Sequence, residues 1–275
     1  MESTFSGTIG VFDSGVGGLS VLQHIRAALP DAHLIYVADS AFVPYGDKSP
    51  AYIESRSSII SRFLIEQGAA AIVIACNTAT AAAAAGLRRR YALPIIGMEP
   101  AVKPAVAASK RGVVGVLATT GTLESARFAA LLEKYAGNVK IVTQSCPRLV
   151  EVVERGDLQG AEARQLVARY TTPLLKSGAD TIILGCTHYP FLAPLIREVV
   201  GAQVQLIDTG KAVARELKRR IDLELPTLPP PPVDPEALPV LPTGTERFYS
   251  SGDPVQAERI MSKLWGRAVE VRSLA

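Results

Sequence analysis

The chain has 275 residues, 48% of them hydrophobic, with 29 Lys and Arg against 26 Asp and Glu for a formal net charge of +3. That is enough apolar material for one large core or two smaller ones. The balanced charge, with no long basic stretch and no aromatic–basic interleaving, argues against a nucleic-acid surface. The opening MESTFSGTIG lacks the basic region and apolar core of a signal peptide, and three cysteines without close pairing read as free thiols of a reducing, cytoplasmic compartment.

Short apolar runs alternate with amphipathic ones along the chain. Strands are expected at 8–13 (TIGVFD), 33–39 (HLIYVAD), 71–76 (AIVIAC), 94–98 (PIIGM), 113–118 (VVGVLA), 140–145 (KIVTQS), 181–186 (TIILGC) and 204–208 (VQLID). Helical patterns fill most gaps, among them 20–29, with apolar Val21, Leu22, Ile25 and Leu29, and 161–178, which stops on a glycine. The stretch 69–87 could pass for a membrane span, but Asn77, Thr78 and Thr80 interrupt it and much of it is alanine, so it reads as a buried strand running into a helix. Residues 225–244 are too rich in proline for a regular helix or central strand and read as an extended surface connection, after which order returns in the tail. Strand–helix alternation of this kind predicts mainly parallel sheets with helices on their faces.

The chain also repeats itself. GAAAIVIACNT starts at Gly68 and GADTIILGCTH at Gly178, and the same offset of 110 separates Cys76 from Cys186. Upstream, IGVFDSGVGGLS (9–20) resembles VGVLATTGTLES (114–125). Each half thus has a Gly-Val strand opening into a polar turn and a later strand ending in cysteine, which implies two similar α/β halves.

Ligands of open parallel sheets bind beyond the carboxyl ends of the strands. There stand Asp13-Ser14, Asp39-Ser40, Cys76-Asn77-Thr78, Thr119-Thr120 and Cys186-Thr187-His188. Each of Cys76 and Cys186 precedes a helix, whose first amides favour an anion, so a thiolate is expected more readily than a free pKa of about 8.5 suggests. A lone buried cysteine is ordinarily an inert small hydrophobe, and Cys146 is read that way. Packing alone does not call for polar followers at both Cys76 and Cys186. His188, two residues beyond Cys186 in an extended segment, can share its face. DSGVGGLS departs from the dinucleotide fingerprint, because Ser20 stands where a third glycine is due; it reads as a tight turn whose amides could hold a substrate carboxylate. Zinc lacks support: there is no C-x-x-C, no H-E-x-x-H and only three histidines. Inverting a stereocentre needs a base on one face of a carbon and an acid on the other, and two matched thiols across a cleft meet that need.

GVFDSGVGGLSVL, PYGDKS, IACNTAT, LGCTHYP and SGDP together resemble the signature stretches of the glutamate racemases, over roughly 8–210 and 247–275. The resemblance implies two similar α/β domains, each a mainly parallel sheet flanked by helices, related by a pseudo-two-fold with the active site between them. The expected division is 1–98 plus 209–275 for the first domain and 99–208 for the second. It implies cofactor-independent interconversion of L- and D-glutamate, supplying D-glutamate for bacterial peptidoglycan, with no metal. Carried over by motif, Cys76 exchanges the proton with D-glutamate, assisted by Asp13, and Cys186 with L-glutamate, assisted by His188. Glu154 resembles the acidic helper on the histidine side, with Glu151 the alternative. Asp13, Ser14, Tyr45, Gly46, Asn77, Thr78, Thr187 and His188 are the expected substrate contacts. Glutamate is the expected partner, without nucleic acid or membrane; a homodimer is compatible with the sequence, which does not specify the oligomeric state. The competing readings are an aspartate-type racemase and, from another class, a Cys186–His188 amidase, which leaves IACNT unexplained.

Overall fold

The computed structural model describes residues 5–225 and 244–274. Along the chain run β1 (Thr8–Asp13), α1 (Leu19–Ala28), β2 (His33–Ala38), α2 (Pro50–Glu66), β3 (Ala69–Ile74), α3 (Asn77–Arg90), β4 (Ile95–Ile96) and α4 (Val102–Ala108). Then come β5 (Val113–Ala118), α5 (Thr120–Leu123), α6 (Ala126–Tyr135), β6 (Lys140–Ser145), α7 (Pro147–Glu154), α8 (Ala161–Lys176) and β7 (Thr181–Leu184). The chain closes with α9 (Ala193–Val200), β8 (Gln205–Ile207), α10 (Gly210–Glu224), β9 (Glu246–Ser250), α11 (Pro254–Trp265) and β10 (Val271–Ser273).

These strands form two sheets, one of six strands in the order β10–β9–β2–β1–β3–β4 and one of four in the order β6–β5–β7–β8. Every pairing among the described residues is parallel. The expected α/β class with parallel sheets and flanking helices is what forms. The repeat has a structural counterpart: β2–β1–β3–β4 and β6–β5–β7–β8 follow one plan. The match extends to packing. A Cβ on Gly10 of β1 would lie 2.9 Å from Leu64 of α2, and a Cβ on Gly115 of β5 would lie 2.8 Å from Leu174 of α8. Leu64 and Leu174 keep the offset of 110 seen between the cysteines. In each half a central-strand glycine therefore lets the helix before the cysteine strand settle onto the sheet.

Sheet interiors explain why the central strands read as continuous apolar runs rather than alternating ones: Ile9, Val11, Phe12, Ile72, Val73 and Ile74 are fully buried between helices on both faces. Ser49 caps α2 by accepting the Tyr52 amide, with Pro50 at the first helical position, and α11 runs from the Asp253 cap to Gly266 in the left-handed region (φ 85°).

All eight expected strands are present; 33–39, 94–98, 181–186 and 204–208 are shorter than expected, and 71–76 keeps its length but is shifted. The 94–98 run contributes only Ile95 and Ile96. The 71–76 strand lies at 69–74, and 181–186 ends at Leu184. In both cysteine segments the ladder gives out before the thiol: Ala75 N still donates to Phe12 O (2.7 Å) and Gly185 N to Leu117 O (2.7 Å), and then the chain leaves the sheet. Beyond the second sheet, α10 packs on α1, and β9 pairs with β2 and β10 with β9, so the chain's last elements complete the first sheet. The proline-rich connection at 225–244 lies, but for its end residues, outside the described residues.

Candidate active site

The carboxyl ends of β1, β2 and β3 face those of β5 and β7 across a narrow cleft. Its walls bring together Ser14, Tyr45, Gly46, Cys76, Asn77, Thr78, Cys186, Thr187 and His188, with Pro44, Thr119, Thr122, Val150 and Gly185. The cavity between them measures ≈ 10 Å³, room for about one water. An amino acid can enter only if the walls part.

Cys76 sits at the N-cap of α3 in extended conformation, and its Sγ accepts the Ala79 amide at 3.4 Å. Asp13, the last residue of β1, is fully buried beside it. The Asp13 carboxylate accepts the Ser14 amide (2.6 Å) and hydroxyl (3.2 Å) through Oδ1, and the Thr187 hydroxyl from the opposite half (3.0 Å) through Oδ2. Burial raises the Asp13 carboxyl against the pull of His188 and of its hydrogen bond with Cys76. The expectation of an easily ionised Cys76 does not hold in this state. Burial, aided by the Asp13 charge, pushes the thiol well above its usual range. One amide at the helix terminus is too little to offset the loss of hydration.

Cys186 follows β7 and leads into a 3-10 turn, Tyr189–Leu192, ahead of α9. Its Sγ lies 3.6 Å from Nδ1 of His188, whose Nε2 is 2.6 Å from Oε1 of Glu154, the last residue of α7. Burial alone would lower the imidazole. Hydrogen bonds to Cys186 and Glu154 outweigh it and hold His188 well above the usual histidine range. Glu151, three residues earlier on α7, is exposed, so Glu154 is the carboxylate that reaches the histidine. Cys146 is fully buried, its thiol against Gln144 O (3.2 Å) and pushed up by burial; it does not line the cleft.

The glycine loop holds carboxylates of the protein itself. Val16 N donates to Glu154 Oε1 (2.8 Å) and Ser14 N to Asp13, so these two amides hold the protein's own carboxylates rather than a ligand's. A Cβ on Gly15 would stand 1.9 Å from Glu154 Oε1, and one on Gly17 2.3 Å from His188 Nδ1. The loop after β1 is bare because the Glu154–His188 pair of the other half lies against it. Ser20 fastens the same loop across the seam, donating toward Thr187 O at 2.8 Å.

Two further features equip the cleft. Asn77 is buried with neither its amide nitrogen nor its carbonyl oxygen partnered among the described residues, an unmet demand that a polar ligand can satisfy. The Thr78 hydroxyl lies 2.9 Å from that of Thr119 and 3.2 Å from that of Thr122, joining the two halves. The sequence marks Thr119 only as a strand end and gives no sign of Thr122. The signal that could find them is the repeat: the segment after β5, where both threonines stand, is the counterpart of DSGVGG. Among the described residues no group of three or more His, Cys, Asp or Glu is arranged to hold a metal ion, and no helix is long and apolar enough to cross a membrane.

Comparison with known proteins finds close relatives of the chain. The chain is 55% identical over 273 residues to a glutamate racemase of Pseudomonas aeruginosa strain PAO1, covering 98% of both chains. Its structure is similar to that of Escherichia coli glutamate racemase in complex with L-glutamate and the activator UDP-MurNAc-Ala (TM-score 0.84, 30% identity, 98% of both chains). It is similar also to the Francisella tularensis enzyme in complex with D-glutamate (TM-score 0.80, 28% identity, 98% of both chains). The model of the Asp/Glu/hydantoin racemase family matches residues 9–217, and with two thiols set in one cleft between two like sheets, the chain belongs to that family.

Proposed function

We propose that the protein is a glutamate racemase, interconverting L- and D-glutamate without a cofactor in the cytoplasm, as a step towards peptidoglycan. The observation that carries this is the pairing of Cys76 and Cys186 on one cleft, each with its own polar assistant, in a chain so close to named glutamate racemases. The division into 1–98 plus 209–275 and 99–208 is part of the proposal and is supported by the return of β9 and β10 to the first sheet. So is the pseudo-two-fold between the domains, supported by the shared strand order.

The substrate's amino and carboxylate groups are held by Ser14, Asn77, Thr78, Thr187 and the Tyr45–Gly46 wall, with the open hydrogen-bonding capacity of Asn77 the best-placed of these. In the L-to-D direction, Cys186 as thiolate takes the α-hydrogen as a proton while the Cys76 thiol delivers its own proton to the opposite face. The cycle leaves Cys186 as thiol and Cys76 as thiolate, and D-glutamate runs the reverse. Asp13 receives and returns the proton of Cys76. The Glu154–His188 pair does so for Cys186 and carries the compensating charge. The resting structure suits one direction of entry: Cys76 is held as thiol, and Cys186 faces an imidazole that favours its cation. An amidase built on Cys186–His188 would leave the whole Cys76–Asp13 arrangement without a task.

The test is a short incubation of L-glutamate in heavy water. Two bases predict that the first D-glutamate formed already carries deuterium at Cα while unreacted L-glutamate carries little. Early D-glutamate that keeps its original hydrogen would require a single base serving both faces, and the mechanism would fall.

A further inference from the structure

Arg56 does not line the cleft, yet one wall of the cleft hangs on it. Asp39 leaves the end of β2 fully buried, and a buried carboxylate needs both a counter-charge and hydrogen-bond donors. Arg56 of α2 supplies both through a two-pronged contact, Nε to Oδ2 at 2.9 Å and Nη2 to Oδ1 at 2.7 Å. A planar guanidinium fits this geometry and an ammonium does not. The Tyr45 hydroxyl donates to the same Oδ2 at 2.5 Å, and the guanidinium lies over the Phe42 ring, 3.8 Å from its centroid. Asp39 and Phe42 of the segment 39–48 thus meet Arg56 directly, and Tyr45 joins them through Asp39. The segment has little order of its own: two three-residue 3-10 turns, Ser40–Phe42 and Tyr45–Asp47. It nonetheless presents Pro44, Tyr45 and Gly46 to the cleft, and Gly46 O lies so close to Gly121 of the other half that a Cβ there would be 2.9 Å away.

We infer that Arg56 is a positioning residue: through Asp39 and Tyr45 it fixes the Pro44–Gly46 wall against which the substrate is held. The inference rests on the proposed function. One consequence concerns Tyr45 itself. Its hydroxyl proton is committed inward to Asp39, so the residue offers the cleft its ring and backbone rather than a donated hydrogen bond.

The experiment compares Arg56→Lys, Arg56→Gln and Tyr45→Phe with the unaltered protein. In Arg56→Gln the KM for both enantiomers rises about tenfold or more, with kcat per folded enzyme changing less, as expected when a binding wall is misplaced. Arg56→Lys, which keeps the charge and loses the fork, falls between. Tyr45→Phe drops a single bond without leaving a charge unpaired, so it stays informative even if Arg56→Gln fails to fold, and it moves KM in the same direction. A residue that merely supported folding would reduce the amount of active protein and leave KM where it was. A second readout is independent of turnover: trypsin cuts after the exposed Lys48 faster in Arg56→Gln and Tyr45→Phe than in the unaltered protein, relative to other sites of the same chain. Unchanged KM overturns the inference, whether or not cleavage quickens, because the wall then does not depend on Arg56. If the unaltered protein racemises no glutamate, the proposed function fails by itself. Unaltered cleavage after Lys48 would then sink the positioning argument, and quickened cleavage would uphold the hold of Arg56 on the wall.

Discussion

The two halves share a backbone plan and differ in what they set beside the thiol. Cys76 faces the buried carboxylate of Asp13; Cys186 faces the imidazole of His188, braced by Glu154. One neighbour repels negative charge on sulfur and the other can balance it. A duplicated fold thus provides two thiols in one cleft, while the side chains around them differ in charge. Two-base racemisation of the proposed kind starts with a proton on one thiol and none on the other, so unlike surroundings suit it. The equilibrium it serves is symmetric, but the site is not a mirror, since the amino and carboxylate groups of one substrate cannot be held identically from both sides.

Removing either thiol should break the comparison most severely. Cys76→Ala and Cys186→Ala are each expected to lower racemisation on the order of 10³-fold or more, since each deletes the only acid/base of one face. Polarimetry or circular dichroism of either enantiomer measures this, and full turnover by Cys76→Ala would leave a single-thiol enzyme. Serine in place of each thiol sharpens the comparison. The equilibrium constant of racemisation is one, so kcat/KM must stay equal in the two directions and cannot reveal the faces. Isotope effects can. With α-deuterated substrates, Cys76→Ser should show the larger primary effect on D-glutamate and Cys186→Ser on L-glutamate, because the weaker base limits the step it performs. Matching biases in the two variants would mean the faces are assigned wrongly.

The histidine side carries a pH signature. The His188 pKa is raised in the folded protein, so its stabilising contribution is complete below the unfolded value of about 6.5 and is lost as pH rises through the folded value. Glu154→Gln weakens one of the bonds responsible. It should cost about 1.5–3 kcal/mol at pH 6, the range for a hydrogen bond to a charged group, and progressively less in alkaline solution. Denaturant titrations across pH test this, and a difference that widened with pH would reverse the assigned charge on His188. The smallest effect concerns the shared frame. Gly10→Ala and Gly115→Ala should each destabilise by about 1–3 kcal/mol, since each methyl group would crowd a leucine already seated on the strand. Comparable penalties support the structural repeat, and a penalty in only one half would limit it to sequence.

Much of the frame was legible because parallel sheets leave a plain trace: unbroken apolar runs, polar residues at their carboxyl ends, a cysteine at the same place in each half. Long-range placement was not legible. Nothing in DSGVGG says that Gly15 and Gly17 must make way for Glu154 and His188, which come from well over a hundred residues away. Nothing local joins Arg56 to Asp39 across the start of α2 either, since spacing along a chain does not report which helix face meets which strand end. The tail ERFYSSGDP was expected to be ordered, but its place beside β2 depends on an edge left vacant by distant strands. The ionisation expected for Cys76 went wrong because helix termini can be read from sequence and depth of burial cannot.

That vacant edge has a consequence for the newborn chain. β2 (His33–Ala38) leaves the ribosome about two hundred residues before its neighbour β9 (Glu246–Ser250) is made. Until then, one side of a hydrogen-bonding strand in the first half has no partner, while the whole second sheet can already assemble from continuous sequence. Synthesis therefore passes through a stage with a finished second half and an unfinished first, its open edge available to other chains. A protein released short of residue 246 would be damaged at its beginning rather than its end.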